Sequence, residues 1–113
     1  MKELAVELFE LINYLIGTIS GGVEGPRIIL EVSEVDDNTA TVTWKNPQTC
    51  GLSDRRYHYI DQEVHTDTFS KRSGTLFVPD VKIFSWGSEY PESRKIIEDF
   101  KAKYGLEDIQ GKE

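Results

Sequence analysis

Cysteine is almost absent from this 113-residue chain, which contains only Cys50. A single cysteine cannot form an internal disulfide, whereas small secreted domains usually carry an even set of cysteines. The longest apolar stretch, residues 11–19, is interrupted by polar and glycine residues and falls far short of the roughly 20 residues that a membrane span needs. Glutamates near the start do not match the basic beginning of a secretory signal. We therefore expect a soluble, cytoplasmic protein.

Basic residues are also scarce. Thirteen Lys and Arg stand against 20 Asp and Glu, which gives a net charge of −7. The imbalance is greatest in residues 1–44, which contain eight acids and two bases. Such a surplus of negative charge repels nucleic-acid phosphates, so we expect no direct binding of nucleic acid. The chain has no internal repeat or linker, and its length favours one domain over residues 1–113, with 107–113 as a frayed tail.

The pattern of apolar residues predicts helices at both ends of the chain and strands between them. Helical spacing over residues 2–16 predicts an N-terminal helix that ends near Gly17. Pro91 and Gly105 mark the start and end of a C-terminal helix, because proline suits the first turn and glycine the C-terminal cap. Strands are predicted at 27–35, 39–44, 57–69, 75–78 and 81–86.

The order of these elements predicts an α+β fold. It comprises an N-terminal helix, an antiparallel sheet of four to five strands and a C-terminal helix packed on one face of that sheet. The apolar face of the first helix is wider than one sheet face requires. We therefore expect a second helix or a symmetry-related copy against it, and the latter alternative would make the protein a homodimer.

Groups suited to catalysis are few. His58 and His65 lie near Asp61 and Asp67, and His65 with Asp67 could share a metal if both project from one face of a strand. Two ligands do not hold a metal, so we predict no metal site and no cofactor, and a metal-dependent hydrolase is the weakest alternative. Cys50 has no histidine near it in sequence to generate a thiolate, so we do not assign it a catalytic role.

Negative charge concentrates on the predicted N-terminal helix and first hairpin. Carboxylates on a rigid frame can resemble a phosphate backbone and occupy the basic surface of a partner protein. An exposed tyrosine beside them would supply the desolvated anchor that binding hot spots need. The predicted partner-binding residues, which we call the acidic surface, are Glu3, Glu7, Glu10, Tyr14, Glu31, Glu34, Asp36 and Asp37.

A second candidate site lies in the centre of the sequence, where two consecutive arginines are followed by two tyrosines. Arginine supplies forked donors to phosphate, and tyrosine offers a flat face on which a base can stack. If this segment and the later turn lie at the same end of the sheet, they would form an anion pocket for a nucleotide or other phosphate. The residues of this alternative are Arg55, Arg56, Tyr57, Tyr59, Lys71 and Arg72.

The leading hypothesis from the sequence is a non-catalytic binding protein. It would inhibit or modulate a protein partner with a basic surface, with nucleic-acid mimicry as one mode. Short, acidic, single-domain chains without motifs are common among small inhibitory proteins, including phage-encoded inhibitors of host defence or nucleic-acid enzymes. A nucleotide- or phosphate-binding module is the alternative.

Overall fold

The computed structural model of the chain describes residues 1–21, 26–47 and 63–111. Within these ranges the chain forms three helices and five strands, and no helix is both long and apolar enough to cross a membrane. In chain order the elements are α1 (Lys2–Ile19), β1 (Ile28–Asp36), β2 (Thr39–Lys45), β3 (His65–Arg72), β4 (Thr75–Val78), α2 (Lys82–Gly87), α3 (Pro91–Lys103) and β5 (Asp108–Gly111).

The predicted α+β architecture is confirmed, with one addition to the sheet. The five strands lie in the order β1-β2-β3-β4-β5. The first four are antiparallel to their neighbours, whereas β5 pairs with β4 in parallel, so the sheet is mixed. The predicted hairpin between β1 and β2 is present. Its turn is stabilised by Asp36, whose carboxylate accepts a 2.7 Å hydrogen bond from the backbone N–H of Asn38.

One face of the sheet carries the core. Residues alternate along β2 between buried and half-buried positions, and Ala40, Val42 and Trp44 face the helices. On β3, Phe69 lies opposite Ala40 and is fully buried. The apolar side of α1 packs over this face, which explains why its periodicity could be recognised in the sequence. Its buried residues are Leu4, Ala5, Leu8, Phe9, Leu11, Ile12, Leu15 and Ile16.

Helix α1 continues beyond the predicted end at Gly17 and stops only at Ile19. A glycine inside a helix costs about 1 kcal/mol relative to alanine. Ile19, two residues beyond Gly17, is partly buried against the core, and full burial of such a side chain contributes about 1.5–3 kcal/mol. Packing of Ile19 therefore offsets the glycine penalty.

The strand predicted at 81–86 is wrong, because this segment forms α2. Ile83, Phe84 and Gly87 face the core from this short helix, a spacing that suits a helix better than a strand. Helix α2 packs against α1 and so supplies the second helix expected on its wide apolar face. A Cβ atom at Gly87 would lie 2.6 Å from Cδ2 of Leu15, so glycine permits this close approach.

The predicted C-terminal helix is confirmed as α3, with Pro91 in its first turn. Gly105 has a φ of +64°, the left-handed geometry that favours glycine after a helix. The expectation of a frayed tail over 107–113 is wrong for residues 108–111. These residues form β5, whose backbone pairs with β4 and whose Ile109 packs against the core.

Candidate protein-binding surface

Helix α1 contacts β1 and the residue just before it at two points, one at the start of the helix and one past its middle. The terminal ammonium of Met1 forms an ion pair with Glu34 on β1, with 3.0 Å between its nitrogen and Oε1. Farther along the helix, the side chain of Asn13 both accepts from the backbone N–H of Arg27 (2.9 Å) and donates to its carbonyl (3.1 Å). Helix α1 therefore runs antiparallel to β1, and its start lies beside the end of β1 that leads into the hairpin turn.

Part of the acidic surface is engaged in internal contacts. Glu7 accepts a hydrogen bond from Nζ of Lys103 on α3, and this bond holds the pKa of Glu7 below its ordinary value. The same contact raises the pKa of Lys103. Glu31 accepts a 3.1 Å hydrogen bond from Ser33, and Asp36 accepts the hydrogen bond from Asn38 that stabilises the hairpin turn. These three carboxylates, and Glu34 beside Met1, contribute negative charge, but all four are already oriented by their own neighbours.

The rest of the acidic surface faces solvent. Glu3 and Glu10 are exposed on the outer side of α1, and Asp37 is exposed in the hairpin turn. Tyr14, one turn beyond Glu10, leaves 42% of its surface exposed, as the sequence predicted. Negative charge therefore continues beside an accessible aromatic side chain along one helix.

A groove that the sequence did not indicate lies between α1 and α3. We call it the α1–α3 groove. Leu11 and Phe100 are buried beside it, while Tyr14 and Ile96 remain partly exposed. Its volume is about 420 Å³, and the charged residues along it are Glu7, Glu10, Asp99 and Lys103. Helical spacing places Ile96 in one apolar stripe of α3 with Ile97 and Phe100, but 39% of its surface is exposed in this groove.

Tyr14 also lines a second depression of about 370 Å³, at the other end of the two helices. Here the walls include Thr18 of α1, together with Tyr90 and Glu92 at the start of α3. Ser93 lies in this depression, and its buried Oγ has no hydrogen-bond partner within the part of the chain that the structure describes. Because both depressions include Tyr14, they follow one another along the helices.

His65 and Asp67, the pair considered for metal binding, both contact Trp44 at the edge of the core. His65 stacks on the ring of Trp44 with centroids 4.6 Å apart, and Asp67 accepts a 2.8 Å hydrogen bond from Nε1 of Trp44. Arg27 covers the same ring at 4.1 Å. Among residues 1–21, 26–47 and 63–111, no group of three His, Cys, Asp or Glu could hold a metal ion. The predicted positions His58, Asp61 and Cys50 lie outside the described residues.

The alternative anion pocket is described only at Lys71 and Arg72. Nζ of Lys71 donates a 3.0 Å hydrogen bond to the carbonyl of Tyr104, near the end of α3. Both residues lie at the end of β3 distant from His65, about 20–23 Å along the strand at about 3.3 Å per residue. The described residues that flank positions 48–62 on both sides lie near the end of β3 at which His65 stands. Arg55, Arg56, Tyr57 and Tyr59 lie outside the described residues.

Comparison of the chain with protein-family models, with curated proteins and with solved structures finds no match.

Proposed function

We propose that this chain is a non-catalytic binding protein that inhibits or modulates a protein partner with a basic surface. The observation that carries the proposal is the contact between Met1 and Glu34, which brings the start of α1 beside the end of β1. Glu3 on the helix and Asp37 in the turn then contribute to the negative potential at one end of the molecule. Tyr14 adds an accessible aromatic group farther along the same helix.

Electrostatic attraction of this kind acts mainly on the association rate and on partner choice. Carboxylates on rigid elements suit this role because the helix and the hairpin already fix their backbone positions, so the backbone needs little ordering on binding. Nucleic-acid mimicry is one form of the proposal, in which the partner's basic surface normally binds phosphates. Duplex DNA or RNA would then compete with the chain for its partner.

The test is affinity capture with two variants that carry the same change in net charge. The first is Glu3→Lys with Glu10→Lys, which reverses exposed charges of α1 and leaves the Glu7–Lys103 contact intact. The second is Glu98→Lys with Glu107→Lys, which reverses exposed charges away from the acidic surface. Each immobilised protein is incubated with an extract of its source cells, and bound proteins are quantified by mass spectrometry.

We expect the wild type and the second variant to retain the same specific protein, and the first variant to lose it. Capture of that protein should weaken as the salt concentration rises, because exposed charges are screened. Equal capture by all three proteins would contradict the proposal. Equal loss from both variants would show that only net charge matters, which also contradicts a defined acidic surface.

A further inference from the structure

We propose that the α1–α3 groove and the depression that continues it bind an amphipathic helix of the partner, with an apolar stripe and lysine or arginine on its flanks. This inference rests on the proposed function and specifies the element of the partner that is recognised. Helix-in-groove binding needs an apolar floor, a length of several helical turns and a rim of complementary charge.

The floor of the groove is apolar and open. Leu11 and Phe100 form its buried base, and Ile96 of α3 and Tyr14 of α1 stand partly exposed beside them. Tyr90 extends the apolar surface into the second depression, with 43% of its side chain exposed. Adjacent, accessible aromatic and aliphatic side chains on rigid helices are typical of surfaces that bind another apolar face.

The length suits a short helix. Glu7 lines one end of the groove and Thr18 the other end of the second depression. They are eleven positions apart along α1, a rise of about 16.5 Å at about 1.5 Å per residue. A partner helix of about three turns would span this distance and present apolar residues at i, i+3 or i+4, and i+7.

The charged residues along the edges of the two depressions, which we call the rim, favour a partner helix of positive charge. Four carboxylates line the two depressions, from Glu7, Glu10, Glu92 and Asp99, against the single ammonium of Lys103. Lys103 is already bound to Glu7. Asp99 also has Lys95 at 3.9 Å, but both of these side chains are largely exposed, so their mutual attraction is weak. Negative potential along the rim therefore favours flanking lysine or arginine on the bound helix.

The same charges argue against a second copy of this chain as the occupant. In a two-fold dimer each protomer presents the same surface to its partner. The acidic rims would then face each other, and like charges across an interface are unfavourable. A basic helix satisfies both the floor and the rim, whereas a second copy satisfies only the floor.

The test uses two synthetic peptides of leucine and lysine with identical composition. In one, the leucines form a stripe at helical spacing; in the other, their order is permuted so that no stripe forms. Binding to the full chain is measured by isothermal titration calorimetry, and the contact surface is mapped by amide chemical shifts. The groove variants are Ile96→Asp and the pair Glu10→Lys with Asp99→Lys. Their matched controls are Val35→Asp, at an exposed position on β1, and the pair Glu98→Lys with Glu107→Lys, at exposed positions outside both depressions and outside the acidic surface.

We expect the striped peptide to bind at least about tenfold more tightly than the permuted one, with shifts concentrated on α1 and α3. Both groove variants should weaken binding by about tenfold or more, while the controls remain close to wild type. Failure of the striped peptide to bind, equal binding of both peptides, or equal losses in groove and control variants would overturn the inference. Concentration-dependent dimers of the free protein that Ile96→Asp abolishes would assign the groove to a second copy and also overturn it.

The outcome can be separated from that of the proposed function. If Ile96→Asp still captures the cellular partner while Glu3→Lys with Glu10→Lys does not, the acidic surface is correct and the helix-in-groove inference is wrong.

Discussion

The close packing of α1 against α2 gives a sharp test of the fold that carries the candidate surface. In Gly87→Ala, the new methyl carbon would lie 2.6 Å from Cδ2 of Leu15, which is itself fully buried. Carbon atoms in contact are normally separated by about 3.5–4.0 Å, so the two groups would overlap by about 1 Å. Inserting a methyl group into a packed core typically costs about 1–3 kcal/mol.

Part of this cost is offset by the helix preference of alanine, which is about 0.5–1 kcal/mol above that of glycine. We therefore expect Gly87→Ala to lower the free energy of unfolding by about 1–2 kcal/mol. Gly17→Ala is the matched control, because no described atom outside its own helix and chain neighbours lies within 4 Å of the Cβ position. It should raise stability by about 0.5–1 kcal/mol.

Urea denaturation followed by tryptophan fluorescence and circular dichroism measures both variants against the wild type. If the denaturant slope is unchanged, the difference in midpoints reports the difference in stability directly. Leu15→Ala in the Gly87→Ala background should remove the overlap, so the two substitutions should show a favourable coupling energy. Wild-type or higher stability of Gly87→Ala, with no coupling to Leu15, would refute this account of the α1–α2 contact.

Three further predictions concern α3 and its contacts. Gly105→Ala should lower stability by about 1–2 kcal/mol in urea denaturation because alanine is strained at a φ of +64°, and Gly105→Asn should lose less; equal stability of all three proteins would contradict the capping role. The lowered pKa of Glu7 means that its contact with Lys103 contributes stability above about pH 4.5, which is lost as the pH falls through the folded-state pKa. Glu7→Gln should flatten this part of the pH–stability profile, and an unchanged profile would contradict it. Burial and the nearby Glu7 carboxylate raise the pKa of Tyr104, so one tyrosine should resist ionisation above pH 10 in ultraviolet titration and stability should fall there; simultaneous ionisation of all five tyrosines would contradict this.

The fold could be predicted where side-chain periodicity matches burial on one face. This was the case for α1 and β2, and for α3 with its terminal proline and glycine. The short segment of α2 is predicted as a strand because a run of a few apolar residues fits either element. No sequence pattern predicts β5, because its place in the sheet depends on backbone pairing with β4, and only Ile109 within it packs on the core.

The candidate surface was predictable in its charge but not in its shape. Carboxylate positions on α1 and the hairpin follow from the sequence, as does the exposure of Tyr14. The internal contact of Glu7 joins residues that are 96 positions apart, and no local pattern indicates it. The α1–α3 groove depends on how two helices lie side by side, so Ile96 could be assigned to an apolar stripe but not to an open groove.

Hydrogen–deuterium exchange of the chain, alone and in complex with its captured partner, tests the central claim most directly. The account predicts that partner binding slows exchange in α1 and in the β1–β2 turn, with smaller changes in β4 and β5. If protection instead concentrates on β4 and β5 while α1 exchanges as in the free protein, the acidic surface is not the binding site and the account is contradicted.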